Sequence, residues 1–337
     1  MEVIRGWTHR LFVVDDASRI GEARRHCASL AAGLGWSEVD AGRLAIVVTE
    51  LATNLARHAK GGRLLIAQRD SMHDIELISI DNGPGIPSLA QSMRDGYSTG
   101  GTAGTGLGAI GRIADSFDCH SSVPQGTVCV ARVQAAGTPP QGRRAFELGA
   151  VCLPAPGETA CGDAWAAAFD SERIALLVAD GLGHGPEAAR ASGAAVEAFA
   201  ADPFADLHVA LQDVHRALQS SRGAALFCLR AKKDEPKLQY AGAGNVCGRV
   251  VSGTYDRSMV TQHGTAGLQM RRVDAAQTDW PAHSLALVHS DGIATRWDVK
   301  PWLSALGRDP SLLAALLLRD HSRVRDDATV VAIRMAD

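Results

Sequence analysis

The chain has 337 residues, of which 46% are hydrophobic and 21% are charged, and its formal net charge is −3. The length predicts two domains, because single hydrophobic cores stop growing at about 250–300 residues. The composition is that of a globular protein. It excludes a membrane-spanning protein, since no apolar run approaches the ~20 residues of a transmembrane helix, and it gives no basic cluster for binding nucleic acid.

The seven cysteines are scattered along the chain and form no C-x-x-C pair. This distribution argues against a disulfide framework and against a zinc site. The N-terminal stretch MEVIRGWTHR lacks the apolar core of a signal peptide. We therefore expect a cytoplasmic protein whose partner is another protein or a nucleotide.

The first predicted elements are a strand at RLFVV and a helix at SRIGEARRHCASLAAGL. A second, amphipathic helix is predicted over residues 37–60, with a capping box at Ser37 and Asp40 and a stop at Gly61. Its polar stripe recurs every four residues, at Glu50, Asn54 and His58. In isolation such a stripe is typical of a solvated helix face, so its meaning depends on the segments that come after the helix.

Two predicted strands come after this helix, RLLIAQRD and DIELISI, and the second ends at Asp81 in DNGPGI. Next comes the glycine-rich stretch GYSTGGTAGTGLGAIGRIA, which feeds a helix that starts near Gly106. A carboxylate at a strand end can accept a hydrogen bond from the amine of adenine, and a glycine-rich helix N-terminus can bind phosphates. The amide oxygen of Asn54 is a hard ligand suited to Mg²⁺. Together these features predict an ATP site.

The first half resembles the Bergerat-fold switch serine kinases, also called anti-sigma kinases, in ELATNLARHA, DNGPGI and GTGLG. The resemblance implies a Bergerat ATP-binding α/β sandwich over residues 1–136. By it, Asn54 holds Mg²⁺, Asp81 reads adenine, and Glu50 is the general base that takes a proton from the incoming hydroxyl. It also implies a nucleotide pocket lined by Gly83, Gly85, Gly104, Thr105, Gly106, Leu107 and Gly108. Residues 92–103 would be the lid over ATP, and whether His58 takes part stays open.

Sensor histidine kinases are related to this family, but they need a phospho-acceptor helix hairpin before the ATP-binding domain. Here only one predicted strand and one predicted helix precede residue 37. We therefore expect the phosphorylated serine or threonine to be on another protein.

A linker is predicted at GTPPQGRR, residues 137–144, and a second domain over residues 145–337. In this half, aspartates stand at the ends of apolar strands in GETACGDAWAAAF, LLVADGLGHG, LALVHSDGI and RDDATVVAI. Carboxylates at several strand ends can converge on paired divalent metal ions that activate a water for phosphoryl chemistry. The candidates are Asp163, Asp180, Asp291 and Asp326.

The second half resembles the bacterial type-2C metal-dependent serine/threonine phosphatases in CGDAW, VADGLGHG, YAGAGN, HSDG and DDATVV, which occur in family order. The resemblance implies an α-β-β-α sandwich that binds two or more Mn²⁺ or Mg²⁺ ions. The four aspartates would be the ligands, with Asp163 and Asp180 essential for catalysis. The carbonyl of Gly181 would complete the site.

Two features depart from that family. Ala166 stands where relatives often have a second acidic residue, and no arginine lies in an obvious phosphate-clamp motif. The sequence does not decide between Asp326 and Asp327 as the ligand, although the resemblance favours Asp326. His184, in GLGHG, is interpreted as a structural or surface residue.

The two resemblances together predict an α/β two-domain protein that is a bifunctional regulator of a partner-switching or stressosome pathway. It would combine an ATP-dependent serine/threonine kinase with a metal-dependent phosphatase. By resemblance, its targets are STAS-domain antagonists or stressosome scaffold proteins, with a sigma factor or another regulator downstream. Two alternatives stay open: a phosphatase regulated by ATP, and a binding protein that sequesters a sigma factor or antagonist without kinase turnover.

Overall fold

The structure is a computed structural model that describes residues 1–93, 106–139, 142 and 144–336. It divides into two units, His9–Gln141, here called the N unit, and Met1–Thr8 with Gly142–Asp337, here called the C unit. Within the described residues, no helix is both long enough and apolar enough to cross a bilayer. The seven cysteines are free thiols, and all but Cys247 are buried.

The N unit contains one antiparallel sheet with its helices packed on one face. The chain's first strand, β1 (Glu2–Arg5), belongs to the C unit. The strands of the N unit are β2 (Arg10–Val13), β3 (Arg63–Arg69), β4 (Asp74–Ile80), β5 (Ser116–Ser122) and β6 (Gly126–Gln134). Their spatial order is β2-β3-β4-β6-β5. Its helices are α1 (Ser18–Gly33), α2 (Glu38–His58), α3 (Leu89–Ser92) and α4 (Gly106–Ile113), with a 3₁₀ turn at Asp70–Met72. This is the predicted mixed α/β layer.

Helix α2 carries the predicted polar stripe and begins where the sequence indicates. The backbone N–H of Asp40 donates to the Ser37 hydroxyl at 3.1 Å, which satisfies one of the free N–H groups at the helix start. The apolar face is buried against the sheet at Leu44, Val47, Val48, Leu51 and Leu55. The helix ends at His58, two residues earlier than predicted, because Ala59 takes an extended backbone conformation.

A buried network of charged groups ties β3, β4 and β6 together. The Arg69 guanidinium donates twice to Asp74 at 2.6 Å and once to Glu76 at 3.1 Å. Arg132 donates to the same Glu76 carboxylate at 2.8 Å, and His9 lies 3.3 Å from it. Burial alone would raise the pKa of Glu76, but Arg69, Arg132 and His9 bring that pKa far below its usual range.

The C unit has two facing sheets with helices on the outside of each. The six-stranded sheet, in the order β1-β8-β9-β10-β11-β16, comprises β1, β8 (Asp163–Phe169), β9 (Arg173–Gly181), β10 (Ala224–Lys232), β11 (Lys237–Ala243) and β16 (Ala276–Asp279). The five-stranded sheet, in the order β13-β12-β17-β18-β7, comprises β7 (Phe146–Leu153), β12 (Cys247–Val251), β13 (Asp256–Met259), β17 (Leu285–His289) and β18 (Ala328–Met335). A small hairpin adds β14 (Gly264–Thr265) and β15 (Gln269–Met270).

The helices of the C unit complete the predicted α-β-β-α sandwich. They are α5 (Pro186–Ala201), α6 (Leu207–Ala217) and α7 (Pro310–His321), with a 3₁₀ turn at Lys300–Ala305. Helices α5 and α6 pack on the six-stranded sheet, and α7 packs on the five-stranded sheet. The contact layer under α5 and α6 consists mostly of alanine, leucine and valine side chains, which lets helices and strands approach closely.

The N-terminal strand belongs to a different unit from the one that the sequence predicts. We expected residues 1–136 to form one domain, but β1 pairs antiparallel with β8, with Ile4 opposite Ala167. The segment after β1 is also fixed there, because the N–H of Gly6 donates to the carbonyl of Trp165 at 2.7 Å. The rings of Trp7 and Trp165 meet edge to face with centroids 4.6 Å apart. Residues 1–8 are therefore part of the C unit.

Candidate active sites

In the N unit, the structure brings two of the three predicted nucleotide-binding motifs into contact. Glu50 and Asn54 are half-buried on α2, beside the first residue of α4. A Cβ atom placed on Gly106 would lie 3.5 Å from Asn54 Oδ1 and 3.9 Å from Glu50 Oε2. The N–H groups at the start of α4 therefore lie next to an amide oxygen and a carboxylate, an arrangement suited to a phosphate with its metal ion.

The third motif is the turn after β4. The Asp81 side chain accepts a hydrogen bond from the N–H of Gly83 at 2.7 Å, which holds the turn in shape. A Cβ on Gly83 would come within 2.9 Å of the His58 carbonyl oxygen, so only glycine lets this turn approach the end of α2. Gly85 has a positive φ of 74° and packs against the Ser122 carbonyl in the same way. Asp81 is thereby placed at the end of α2 that carries Asn54.

The predicted second glycine box and lid are described only in part. Leu107 is half-buried and Gly108 is buried, both in the first turn of α4. Gly104 and Thr105 lie outside the described residues, as do residues 94–103 of the predicted lid. The side chain of His58 is exposed. In the described part of the N unit, the predicted pocket therefore consists of α2, the turn after β4 and the start of α4.

In the C unit, the strand register places two of the predicted ligands face to face. Asp163, the first residue of β8, is directly opposite Asp180 of β9 in the antiparallel ladder. Directly opposite residues have their side chains on the same face, about 5 Å apart. Asp163 is buried, and its Oδ2 accepts a hydrogen bond from the Ser290 hydroxyl at 2.6 Å. The N–H of Thr329 donates to the same hydroxyl, which fixes the serine.

The other two predicted ligands are close to this pair. Asp291 follows β17, and its Oδ2 accepts a hydrogen bond from the Asn245 amide at 2.7 Å. The electrostatic effect of the grouping is clear at Asp180, whose pKa is raised to about 9 by burial and by the negative charges of Asp163, Asp291, Asp326 and Asp327. Four strand ends that are far apart in sequence thus contribute carboxylates to one acidic cluster.

The two adjacent aspartates before β18 have different surroundings. Asp327 is buried, and its Oδ1 accepts a hydrogen bond from the N–H of Ala155 at 2.8 Å. Its side chain therefore anchors the loop that precedes β8. Asp326 is exposed and accepts only the N–H of Asp327 among the hydrogen bonds recorded in the described part of the chain. This difference favours Asp326 as the metal ligand.

The acidic cluster suits divalent cations, although its ligands do not stand in one ready-made coordination sphere. Within the described residues, no three His, Cys, Asp or Glu side chains are already arranged to hold a single ion. Such clustered carboxylates are costly unless a cation neutralises them, as the raised pKa of Asp180 indicates. Hard carboxylate oxygens are the ligands that Mg²⁺ and Mn²⁺ prefer, and Mg²⁺ usually keeps several waters as further ligands.

Two glycines of the predicted motifs have a packing role. A Cβ on Gly181 would overlap the carbonyl oxygen of Ala188 in α5, and a Cβ on Gly292 would overlap the carbonyl oxygen of Asp327. Glycine follows Asp180 and Asp291, then, because the chain turns against neighbouring backbone at both places. The predicted contact of the Gly181 carbonyl with a metal ion stays a prediction.

The structure shows the surroundings of Ala166, which stands where relatives often have an acidic residue, and of His184. Ala166 is buried in the layer beneath α5, on the opposite face of β8 from Asp163, so an acidic residue in its conformation would not join the cluster. His184 is at the surface, where its Nδ1 lies 2.7 Å from Glu158 Oε1.

The sequence analysis missed two residues that hold the aspartates in place. Ser290, in HSDG, donates a hydrogen bond to Asp163 of CGDAW. Asn245, in YAGAGN, donates a hydrogen bond to Asp291 of HSDG.

Comparison with known families agrees with the two predicted domain types. Residues 13–133 match the histidine kinase-like ATPase domain, and residues 170–336 match Stage II sporulation protein E (SpoIIE). The serine/threonine-protein kinase RsbT of Bacillus subtilis (strain 168) is 36% identical over 107 residues, which are 31% of this chain and 80% of RsbT. Both resemblances inferred from the sequence are thereby confirmed.

Two solved structures are similar to more than half of the chain. One comes from work on the bacterial stressosome as a modular system adapted to control secondary messenger signaling; it is 29% identical, with a TM-score of 0.53 over 56% of this chain and 99% of that one. The other is RsbX in complex with magnesium, 20% identical, with a TM-score of 0.52 over 58% of this chain and 98% of that one. At that identity the likeness to RsbX shows the fold.

Proposed function

Because this chain belongs to the RsbT family of histidine kinase-like ATPases and carries a SpoIIE phosphatase domain as well, we propose that it phosphorylates and dephosphorylates a STAS-domain partner. The modified residue is a serine or threonine of an antagonist or stressosome scaffold protein. The chain thereby sets the phosphorylation state of a partner-switching pathway, with a sigma factor or another regulator downstream.

In the proposed kinase reaction, the N unit binds ATP through the three motifs around α2. Asp81 accepts a hydrogen bond from the adenine amine, and Asn54 holds Mg²⁺, which neutralises charge on the phosphates when it is bound. The N–H groups at Gly106 and beyond hold the phosphates. Glu50 accepts the proton of the partner's hydroxyl as that oxygen bonds to the γ-phosphorus, while the bond from the γ-phosphorus to the β–γ bridging oxygen breaks and ADP leaves. The closeness of Gly106 to both α2 side chains supports these roles.

In the proposed phosphatase reaction, the acidic cluster of the C unit holds two or more Mn²⁺ or Mg²⁺ ions. The ligands are Asp163, Asp180, Asp291, Asp326 and the Gly181 carbonyl. Bound metal ions supply a Lewis acid that makes water a stronger nucleophile toward the phosphoryl group. Ser290 and Asn245 orient Asp163 and Asp291 through their hydrogen bonds, as outer-shell groups do at metal sites.

The observation that carries the proposal is that one chain contains both sets of residues, each assembled within its own unit. Glu50 and Asn54 adjoin the start of α4 in the N unit, and Asp163 is opposite Asp180 in the C unit. Joining both activities covalently gives them the same high local concentration near a shared partner.

The test follows the intact mass of a STAS-domain protein over time in the presence of the full chain, ATP, Mg²⁺ and Mn²⁺. We expect Asp180→Asn to accumulate phosphorylated partner, Glu50→Ala to add none, and the wild type to remove phosphate from pre-phosphorylated partner. Glu38→Ala and Asp274→Asn change exposed carboxylates on α2 and in the C unit, and both should behave as wild type.

The same experiment separates the proposal from its alternatives. If no variant adds phosphate while the wild type still removes it, the N unit regulates a phosphatase and the kinase claim is wrong. If neither reaction occurs but a stable complex with a sigma factor or antagonist survives Glu50→Ala, the chain is a binding protein.

A further inference from the structure

The turn between α6 and β10 lies at the same end of the six-stranded sheet as the acidic cluster. Residues Ala224 and Ala225, at the start of β10, are opposite Gly181 and Asp180 in the antiparallel ladder. Arg222 comes two residues before this strand. The register of β9 and β10 therefore sets the backbone of Arg222 beside the loop that follows Asp180.

One backbone hydrogen bond joins this turn to that loop, and a second hydrogen bond, to a serine hydroxyl, holds the turn in shape. The N–H of Leu182 donates to the carbonyl of Gly223 at 3.0 Å, and the N–H of Gly223 donates to the Ser221 hydroxyl at 3.0 Å. Gly223 has a positive φ of 83° and packs against the carbonyl of Ala266, so a side chain there would not fit. The backbone position of Arg222 is thus set by the Gly223 carbonyl after it and the Ser221 hydroxyl before it.

The side chain of Arg222 extends across Gly183, in the loop after Asp180. A Cβ placed on Gly183 would lie 3.3 Å from Arg222 Nη1. The carbonyl of Gly183 packs on Gly162, and Gly162 also adjoins the Asp327 carboxylate. The guanidinium consequently lies one loop away from the acidic cluster, at its rim, and is exposed to solvent.

Of two other arginines near this region, Arg216 forms an ion pair and Arg323 acts on Asp291 through its charge. Arg216, six residues earlier on α6, pairs with Asp213, and the charge of Arg323 counters the rise in the pKa of Asp291 that burial and Asp326 cause. For Arg222, by contrast, the structure records no hydrogen bond or ion pair of the guanidinium with any residue in the described ranges. Its donors are available to a ligand.

A phosphorylated serine or threonine brings a dianion toward a cluster of carboxylates, so its approach needs positive charge in addition to the metal ions. The planar guanidinium offers paired N–H donors that match two phosphate oxygens. We propose that Arg222 binds the phosphoryl group of the substrate at the rim of the acidic cluster. This inference rests on the proposed phosphatase function, and it supplies the phosphate-binding arginine that no motif of the sequence indicates.

The test measures the affinity of the Mg²⁺-loaded full chain for inorganic phosphate by calorimetry, together with KM and kcat for a phosphorylated STAS-domain protein. For Arg222→Ala we expect phosphate affinity to fall about 10-fold or more and KM to rise similarly, with kcat within about two-fold of wild type. Arg222→Lys keeps the charge but loses the paired donors, so it should recover part of the affinity. Arg216→Ala is the matched control and should change neither quantity.

Two results would have different meanings. If the wild type removes phosphate and Arg222→Ala leaves both phosphate affinity and KM unchanged, the role of Arg222 is overturned while the phosphatase function stands. If the wild type removes phosphate from no phosphoprotein, the phosphatase function fails, and the calorimetric comparison still decides whether Arg222 binds phosphate. Because Arg222 is exposed, neither substitution should disturb the fold.

Discussion

Asp163 and Asp180 face each other across the β8–β9 ladder, so two carboxylates project side by side from one face of the sheet. Like charges directly opposite in an antiparallel pair are destabilising. The hydrogen bond to Asp163 does not neutralise its charge, since the donor is the uncharged Ser290 hydroxyl. The strand pairing thereby sets two carboxylates side by side, where a bound cation would offset their repulsion.

The pH dependence of stability without metal ions tests this relationship. The pKa of Asp180 is raised to about 9 by burial and neighbouring carboxylates, so the folded, metal-free protein holds a proton that the unfolded chain loses above about pH 4. Stability should therefore fall as pH rises from about 4 toward 9. We expect thermal denaturation in EDTA to show this slope, and Asp180→Asn to flatten it.

Added Mn²⁺ should also remove most of that slope in the wild type, because the ion takes the place of the proton. In Asp180→Asn the same addition should stabilise the protein much less, since one ligand is gone. A metal-free wild type whose stability did not change between pH 5 and pH 9 would contradict the electrostatic account of the cluster.

The glycine after Asp180 should be intolerant of even one methyl group. In Gly181→Ala the new Cβ would overlap the Ala188 carbonyl, and overpacking of this kind costs about 1–3 kcal/mol. Gly193→Ala is the control, because nothing lies within 4 Å of its new Cβ and alanine favours helix α5 by up to about 1 kcal/mol. Urea denaturation should show opposite signs for the two variants; equal effects would mean that the turn can relax.

Trp7 should stabilise the C unit although it precedes the N unit in the chain. It is buried against Trp165, and truncation of a buried tryptophan costs about 3–5 kcal/mol. In Trp7→Ala, phosphatase activity should be lost at a lower urea concentration, while ATP binding by the N unit is lost at the wild-type concentration. Leu11→Ala, at an exposed position in β2, is the control. If Trp7→Ala instead lowered the urea concentration at which ATP binding is lost and left that for phosphatase activity unchanged, residues 1–8 would not belong to the C unit.

The charge network of the N unit should make its stability sensitive to acid. The pKa of Glu76 is lowered in the folded state, so its contribution is present above the ordinary glutamate value of about 4.3 and is lost as pH falls below it. Glu76→Gln should cost about 3–5 kcal/mol at neutral pH, because it deprives Arg69 and Arg132 of a buried carboxylate. The measurement is unfolding of the N unit, followed by its loss of nucleotide binding, at pH values from about 3 to 7. Glu22→Gln is the control: it changes an exposed carboxylate and should alter stability little.

Local signals in the sequence were enough for the elements that carry the sites. The cap at Ser37 and the four-residue spacing of α2 predicted the helix and its polar stripe, because both depend on neighbours within one or two turns. The ends of β4, β9 and β17, each within two residues of an aspartate, were also predictable, since an apolar run changes into a glycine turn at each of them.

The contacts between distant segments could not be read in this way. Strand β1 is four residues long, and its partner β8 begins more than 150 residues later, so no local pattern indicates the pairing. The hydrogen bond from Ser290 to Asp163 joins residues 127 positions apart. Arg222 lies in no motif, and the β9–β10 register sets its backbone beside the loop that follows Asp180.

The N unit enters the chain between β1 and β7, two strands of the C unit. Each end of the N unit is therefore joined by a peptide connection to a strand of the other unit. A protease that cuts once near Gly137 would release no fragment. The part before the cut would stay bound to the C unit through β1, as the two pieces of a split protein do. Loss of the N unit by deletion from the N-terminus would also remove β1 and leave β8 as an open edge strand, a ready template for aggregation. A C unit prepared without the N unit therefore needs residues 1–8 together with residues 142–337 for its six-stranded sheet to be complete.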